Sequence, residues 1–228
     1  MKIILTGATG FVGSDVLTRL VANPQVAQVT CLTRRPVGAE APKVTMILHE
    51  DFAAYDPALL DRLADQDACI WALGGKASDL GTPNVFARIT HTFTLALAEG
   101  VASRAKAPFT FCYLSGMGAD PSETATFPWE KLTRHLKGRT EKDLGRLQSQ
   151  YPRFCAHCFR PGGILPDVAN PALRYLLAPI VVGVGELSDA MIAGALDGRL
   201  FRQQSVVSNG AIKQLAKGKL PQDPSCRQ

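Results

Sequence analysis

The feature that most constrains this chain is the run LTGATGFVGSDV near its start, where Gly7, Gly10 and Gly13 separate an apolar strand from a helical stretch. KIILT reads as a strand covered on both faces, and SDVLTRLVAN as a helix that Pro24 ends. The glycines at that junction answer three steric demands. The first permits a tight turn, the second lets the backbone approach a pyrophosphate, and the third lets helix and strand pack closely. The unpaired N–H groups of the helix start and its macrodipole then favour a phosphate. The spacing is G-x-x-G-x-x-G, one residue longer than G-x-G-x-x-G, and Thr9, Phe11 and Val12 complete the loop. A glycine-rich turn that binds nothing is the alternative, and the flanking strand and helix argue against it.

A second strand, QVTCLTRR, completes a β-loop-α-β unit, and the alternation continues. VTMILHE, ACIWALGG, PFTFCYLS and FCAHCFRPGGIL read as strands, while PALLDRLAD, Pro83 to Ala102 and Trp129 to Leu147 read as helices. The nearly continuous apolar strands predict a doubly wound parallel sheet, a Rossmann-like α/β fold with helices on both faces. Beyond Pro166 the alternation fades, and short helices are expected at Pro171 to Leu177, Ser188 to Leu196 and Ala211 to Gly218. The expected organisation is a single domain over 1–228, with 166–228 forming a small C-terminal cap on the substrate side and a frayed tail, PQDPSCRQ.

Cofactor choice should be written at the end of the second strand. An acidic residue there would hold the ribose 2′-hydroxyl of NAD. This chain has Thr33, Arg34 and Arg35 instead, and two guanidiniums offer planar forks of donors to a 2′-phosphate. The reading is NADP(H) over NAD(H), against a pair of arginines merely solvated at a strand end. The net charge of +5 is scattered along the chain, which does not indicate nucleic-acid binding. No apolar run is long enough for a membrane span, since Pro179 and Gly183 interrupt the stretch around Leu176 to Val184. With a strand beginning at Lys2, no signal peptide is expected and a cytoplasmic location is the default. Six cysteines then read as free thiols. Cys155 and Cys158 form a C-x-x-C, but on a strand their side chains point to opposite faces, whereas a redox pair needs a helix N-terminus. No His/Cys/Asp cluster has metal-ligand spacing.

TGATGFVG, the arginine pair and FRPGGIL together resemble the atypical short-chain dehydrogenases/reductases, and within them the HIV Tat-interacting-protein-like branch, which binds NADPH. The likeness runs through Asp51 and Phe52, SGMGAD, LKGRTE and SVVSNGAIKQLA. It implies that Asp51 and Phe52 meet the adenine, and that Ala72, Leu73 and Gly74 border the adenosine ribose and phosphates. It also implies that Arg160, Pro161, Gly162 and Gly163 lie beside the nicotinamide. A small-molecule substrate and a homodimer are consistent with it, the apolar stretch Tyr175 to Val184 serving as substrate cap, dimer contact or core.

These enzymes usually pair a Tyr with a Lys four residues later and a Ser or Thr from the fifth strand. A phenol near pKa 10 keeps its proton at neutral pH until a nearby ammonium stabilises the phenolate. Here Lys137 resembles the family lysine and Ser115 the strand hydroxyl, but Thr133 stands where the Tyr is expected, and an aliphatic alcohol is a far poorer acid. Lys137, Ser115 and Thr133 are the expected catalytic set. Three outcomes follow: an oxidoreductase with another proton source, a non-redox isomerase, lyase or cyclase, or a protein that binds NADPH without turnover. Helical spacing puts Glu130, Thr133, Lys137 and Glu141 on one face and His135 nearly opposite. Glu130 is thus a substitute acid, while Lys137 and Glu141 also read as a solvated i,i+4 pair. Tyr113, His91 and His49 read as packed residues first, and Trp129 as a residue at the substrate entrance.

Overall fold

Ile3, Ile4 and Leu5 are wholly buried, as a strand covered on both faces requires. They belong to β1 (Lys2–Thr6), an interior strand between β2 and β4. The structure is a computed structural model that describes residues 1–38, 41–124, 130–169, 176–197 and 206–219. The other strands are β2 (Gln28–Thr33), β3 (Val44–Leu48), β4 (Ala68–Trp71), β5 (Phe109–Leu114), β6 (Phe154–Arg160), β7 (Gly163–Leu165), β8 (Val181–Gly183) and β9 (Val206–Ser208). Seven of them form one sheet in the order β3-β2-β1-β4-β5-β6-β9, every pair parallel. β7 and β8 pair separately, also in parallel. The helices are α1 (Phe11–Ala22), α2 (Pro57–Ala64), α3 (Pro83–Ala87), α4 (Phe93–Ala102), α5 (Lys131–Gln150), α6 (Val184–Leu196) and α7 (Asn209–Ala216). This is the doubly wound, Rossmann-like fold that the alternation predicts.

Strand alternation divides the core into two layers. Ile3, Leu5, Val29 and Ile70 pack with Val16 and Leu20 of α1, Leu187 and Met191 of α6, and Ile212 of α7. Ile4, Leu32, Trp71, Phe111 and Tyr113 pack with Leu63 of α2, Leu97 and Val101 of α4, and Leu144 of α5. Among the described residues no helix is long and apolar enough to cross a membrane. Cys31, Cys69, Cys112, Cys155 and Cys158 are free thiols. Cys158 joins the second layer, while Cys155 faces His157 at 3.5 Å on the other side of the strand.

Three expectations change. The helix expected from Pro83 to Ala102 is split by a π-helical turn at Arg88–Thr92. The hydroxyls of Thr94 and Thr140 both reach the Thr90 carbonyl, at 2.8 and 3.3 Å, and such insertions disturb the helical ladder. The strand expected through FCAHCFRPGGIL breaks at Pro161, which has no N–H to give, so β6 and β7 join different sheets. The helix expected from Ser188 begins earlier: α6 starts at Val184 and packs on α1, β4 and β5, and beyond it β9 forms an edge of the main sheet. The apolar face of α6 covers strand surface that α1 leaves bare. Val181 and Val182 of the stretch before it are core. Trp129, Cys226 and most of the helix expected at Pro171 to Leu177 lie outside the described residues.

Candidate functional site

The β1–α1 turn has its shape because side chains are absent from it. Gly7 has φ +72°, and a Cβ there would lie 2.5 Å from the Ala72 carbonyl oxygen at the end of β4. A Cβ on Gly13 would lie 2.0 Å from the Gly7 carbonyl oxygen. The Gly10 N–H closes the turn on that same oxygen at 2.9 Å. Gly10 then begins α1 with no side-chain cap, and no acidic residue occupies the first turn. The first N–H groups of α1 are therefore open to an anion. Val12 and Gly13 are buried beneath the turn, whereas Phe11 is half-exposed at its rim.

A cleft opens beside this turn, lined by Gly7, Thr9, Leu32, Thr33, Arg34, Arg35, Phe52 and Leu73. It sits at the carboxyl ends of the strands, next to the point where the strand order reverses from β1 to β4, the position at which open α/β sheets take ligands. The Thr33 hydroxyl donates to the Arg35 carbonyl at 2.9 Å and fixes the arginine turn. Both arginine side chains are exposed, and among the described residues neither has an ion-pair partner. Phe52 is buried against Trp71 and Phe93, which gives the cleft an aromatic wall. Asp51 is paired with Arg88 at 3.1 Å and does not line the cleft. His49 stacks on Tyr55 at 4.6 Å and holds the Ala54 carbonyl at 3.0 Å, so it buttresses the aromatic wall. Gly74, at φ +147°, has open space around it just past Leu73.

Farther along the same edge, β5 and α5 bring polar groups together. The Lys137 ammonium donates to the Ser115 carbonyl at 2.7 Å, beside Gly116. Burial, countered in part by Glu141 and Glu130 and assisted by Lys76, brings its pKa down to about 8. The Ser115 hydroxyl does not face the cleft: it donates to Glu141 at 2.5 Å. Glu141 is in turn gripped by the guanidinium of Arg160, with Nε at 2.9 Å from Oε1 and Nη2 on Oε2. Glu141 is thus a buried, paired carboxylate rather than half of a solvated helix pair. The Thr133 hydroxyl accepts from the Ala77 N–H at 3.0 Å and donates to Glu130 at 2.7 Å, tying α5 to the loop after β4. Tyr113 is sealed in the core, and burial pushes its pKa up. His91 pairs with Asp143 of α5 at 2.9 Å, a structural contact.

The loop after β6 is zipped to this region. Ser115 N–H donates to the Phe159 carbonyl at 2.8 Å and Met117 N–H to the Pro161 carbonyl at 2.7 Å. Gly162 N–H donates to the Asn209 side chain at 2.9 Å, and Gly163 N–H to the Ile180 carbonyl at 2.7 Å. Pro161 therefore adjoins the turn that follows Ser115, while Gly162 and Gly163 are held by Asn209 and Ile180. The pairing of Glu141 with Arg160 escapes a reading of the sequence by spacing. Its signal is that Glu141 falls on the same buried stripe as Gly138 and Leu144, where a carboxylate demands a cationic partner.

Known proteins agree with this architecture. The chain is 38% identical over 205 residues to leucinostatins biosynthesis cluster protein T of Purpureocillium lilacinum, covering 79% of this chain and 71% of that protein. It is 28% identical over 151 residues to the mitochondrial protein fmp52 of Aspergillus fumigatus, covering 64% of this chain and 61% of that protein's length. The structure of the Bordetella bronchiseptica enzyme WbmF in complex with NAD+ superimposes with a TM-score of 0.67 at 17% identity, covering 98% of this chain and 82% of that one. Residues 3–135, more than half the chain, match the NAD dependent epimerase/dehydratase family. The chain belongs to that family, among the short-chain dehydrogenases/reductases that its motifs resemble.

Proposed function

We propose that this protein binds NADP(H) and acts as an oxidoreductase on a small carbonyl or alcohol. The observation that carries the cofactor choice is the pair of exposed guanidiniums, Arg34 and Arg35, on the wall of the cleft, whose lining among the described residues includes no carboxylate for a ribose 2′-hydroxyl. The donor set fits the rest of the dinucleotide. The backbone of Gly7 through Gly13 and the uncapped start of α1 suit a pyrophosphate, since any Cβ at Gly7 or Gly13 would fill the cradle. Phe52 and Leu73 suit the adenosine end, with Asp51 and Gly74 at its margin. Lys137 and the Pro161–Gly163 loop suit the nicotinamide end. When bound, the reduced cofactor supplies the hydride, and the protein supplies binding, orientation and a proton.

A second reading is favoured by the engaged hydroxyls of Ser115 and Thr133: a cofactor-binding protein without turnover, or a non-redox isomerase, lyase or cyclase. A panel of aldehydes and ketones, followed by loss of reduced-nicotinamide absorbance, separates the two. Carbonyl-dependent consumption of NADPH, weakened in Arg34→Ala/Arg35→Ala, supports the oxidoreductase. Tight NADPH binding with no consumption across the panel supports the second reading.

A further inference from the structure

Reduction of a carbonyl needs a proton as well as a hydride, and three hydroxyls around β5 and α5 are engaged or sealed off. Thr133 donates its hydroxyl proton to Glu130 and accepts from the Ala77 N–H. Ser115 donates its own to Glu141, and the residue is buried at 2% exposure. The Tyr113 phenol lies sealed in the core layer between the sheet and α5, at 1% exposure. The Lys137 ammonium remains. One of its three N–H donors holds the Ser115 carbonyl, and among the described residues the other two have no protein acceptor.

We propose that Lys137 is itself the proton donor of this site, in place of a tyrosine one helical turn earlier. The inference rests on the oxidoreductase reading above. In the step, an N–H bond at Lys137 Nζ breaks as the substrate oxygen gains its O–H bond, while the hydride arrives at the carbonyl carbon from the reduced cofactor. The neutral amine left at Nζ then regains a proton from water. The groups facing Nζ make this feasible near neutral pH. Glu141 lies one turn along α5, but Arg160 and Ser115 already occupy its oxygens. Glu130 and Lys76 bring opposite charges from the start of α5 and the loop after β4. With burial as the largest influence, the ammonium titrates near 8 rather than 10.5, so it is both populated at pH 7 and acidic enough to transfer.

Lys137→Arg is the discriminating variant, because a guanidinium keeps the positive charge and its hydrogen bonds yet does not release a proton near neutral pH. Lys137→Gln, which loses the charge but keeps much of the length, guards against a misfolded arginine variant. In nucleotide-free protein whose lysines carry 13C-methyl groups, one resonance should titrate with a midpoint near 8 and vanish in both variants. With 4-nitrobenzaldehyde and NADPH, wild-type kcat/KM should be level below that midpoint and fall about tenfold per pH unit above it. At saturating NADPH, Lys137→Arg should lose about a hundredfold or more in turnover. A normal lysine midpoint, or turnover by Lys137→Arg with the alkaline fall unchanged, overturns the proposal while leaving cofactor binding intact. Failure of the wild type to use NADPH overturns the oxidoreductase reading instead.

Discussion

The two halves of the sheet's ligand edge are built on opposite principles. At β1 and β2 the groups are left open: a cradle kept empty by Gly7 and Gly13, an uncapped helix, and two arginines without ion-pair partners among the described residues. At β5 and β6 the polar groups satisfy one another, Ser115 with Glu141 and Arg160, and Thr133 with Glu130 and Ala77. The first half presents donors to something that must come from outside. The second is a closed hydrogen-bond network, of the kind that fixes positions. Lys137 belongs to the closed half by position, yet it is held by a backbone carbonyl and not by a carboxylate.

The difference can be broken experimentally, and the largest effect is expected in the closed half. Glu141→Ala leaves the Arg160 guanidinium, which is 24% exposed, without its partner. It should cost about 3 kcal/mol in denaturant unfolding, the low end for a buried pair because Arg160 keeps some water. A loss below about 1 kcal/mol would mean that the network does not hold the fold. Gly13→Ala comes next, at about 2 kcal/mol, because its methyl must displace the Gly7 carbonyl. The same variant should bind no nucleotide in a calorimetric titration, and unimpaired binding would refute the cradle. Thr133→Val should cost about 1 kcal/mol for the lost hydrogen bonds, read from the same unfolding curves.

The remaining effect is a pH dependence. Because burial lowers the Lys137 pKa from 10.5 to about 8, the unfolded chain holds more protons than the folded one between those values. The contribution of Lys137 to stability therefore rises with pH across that window and is level below it. Buried thiols such as Cys31, pushed up to about 11, act in the opposite direction, but equally in wild type and variant. The difference in melting temperature between wild type and Lys137→Met should thus change steadily from about pH 8 to 10.5 in favour of wild type. A difference constant with pH would show that Lys137 titrates normally.

The open half was the legible half. Gly7, Gly10 and Gly13 act through backbone geometry, which spacing along the chain records directly, and Arg34 and Arg35 follow from the length of β2. The doubly wound parallel sheet was legible too, from apolar strands alternating with helices, whereas its strand order came only with the structure. The closed half depends on contacts between distant positions. Glu141 and Arg160 lie nineteen residues apart and meet only when α5 packs over β6. The i,i+4 spacing of Lys137 and Glu141 suggested a local pair, which burial then overruled. The π-helical turn is hidden similarly, because the Thr140 hydroxyl that helps hold it comes from another helix. In the region after Pro166, fading alternation hid only the first turn of α6, which was expected from Ser188 and begins at Val184, and with it the extent of the apolar face that covers the sheet.

The most direct test is thermal unfolding with NADPH, with NADH and with no nucleotide, in wild type and in Arg34→Ala/Arg35→Ala. A nucleotide present at a hundred times its Kd adds about 2.7 kcal/mol to the folded state, which for a chain of this size is a rise of about 5–10 °C. The account predicts that rise with NADPH, a much smaller one with NADH at the same concentration, and loss of the distinction in the double variant. Equal shifts with both nucleotides, or no shift with either, would contradict it.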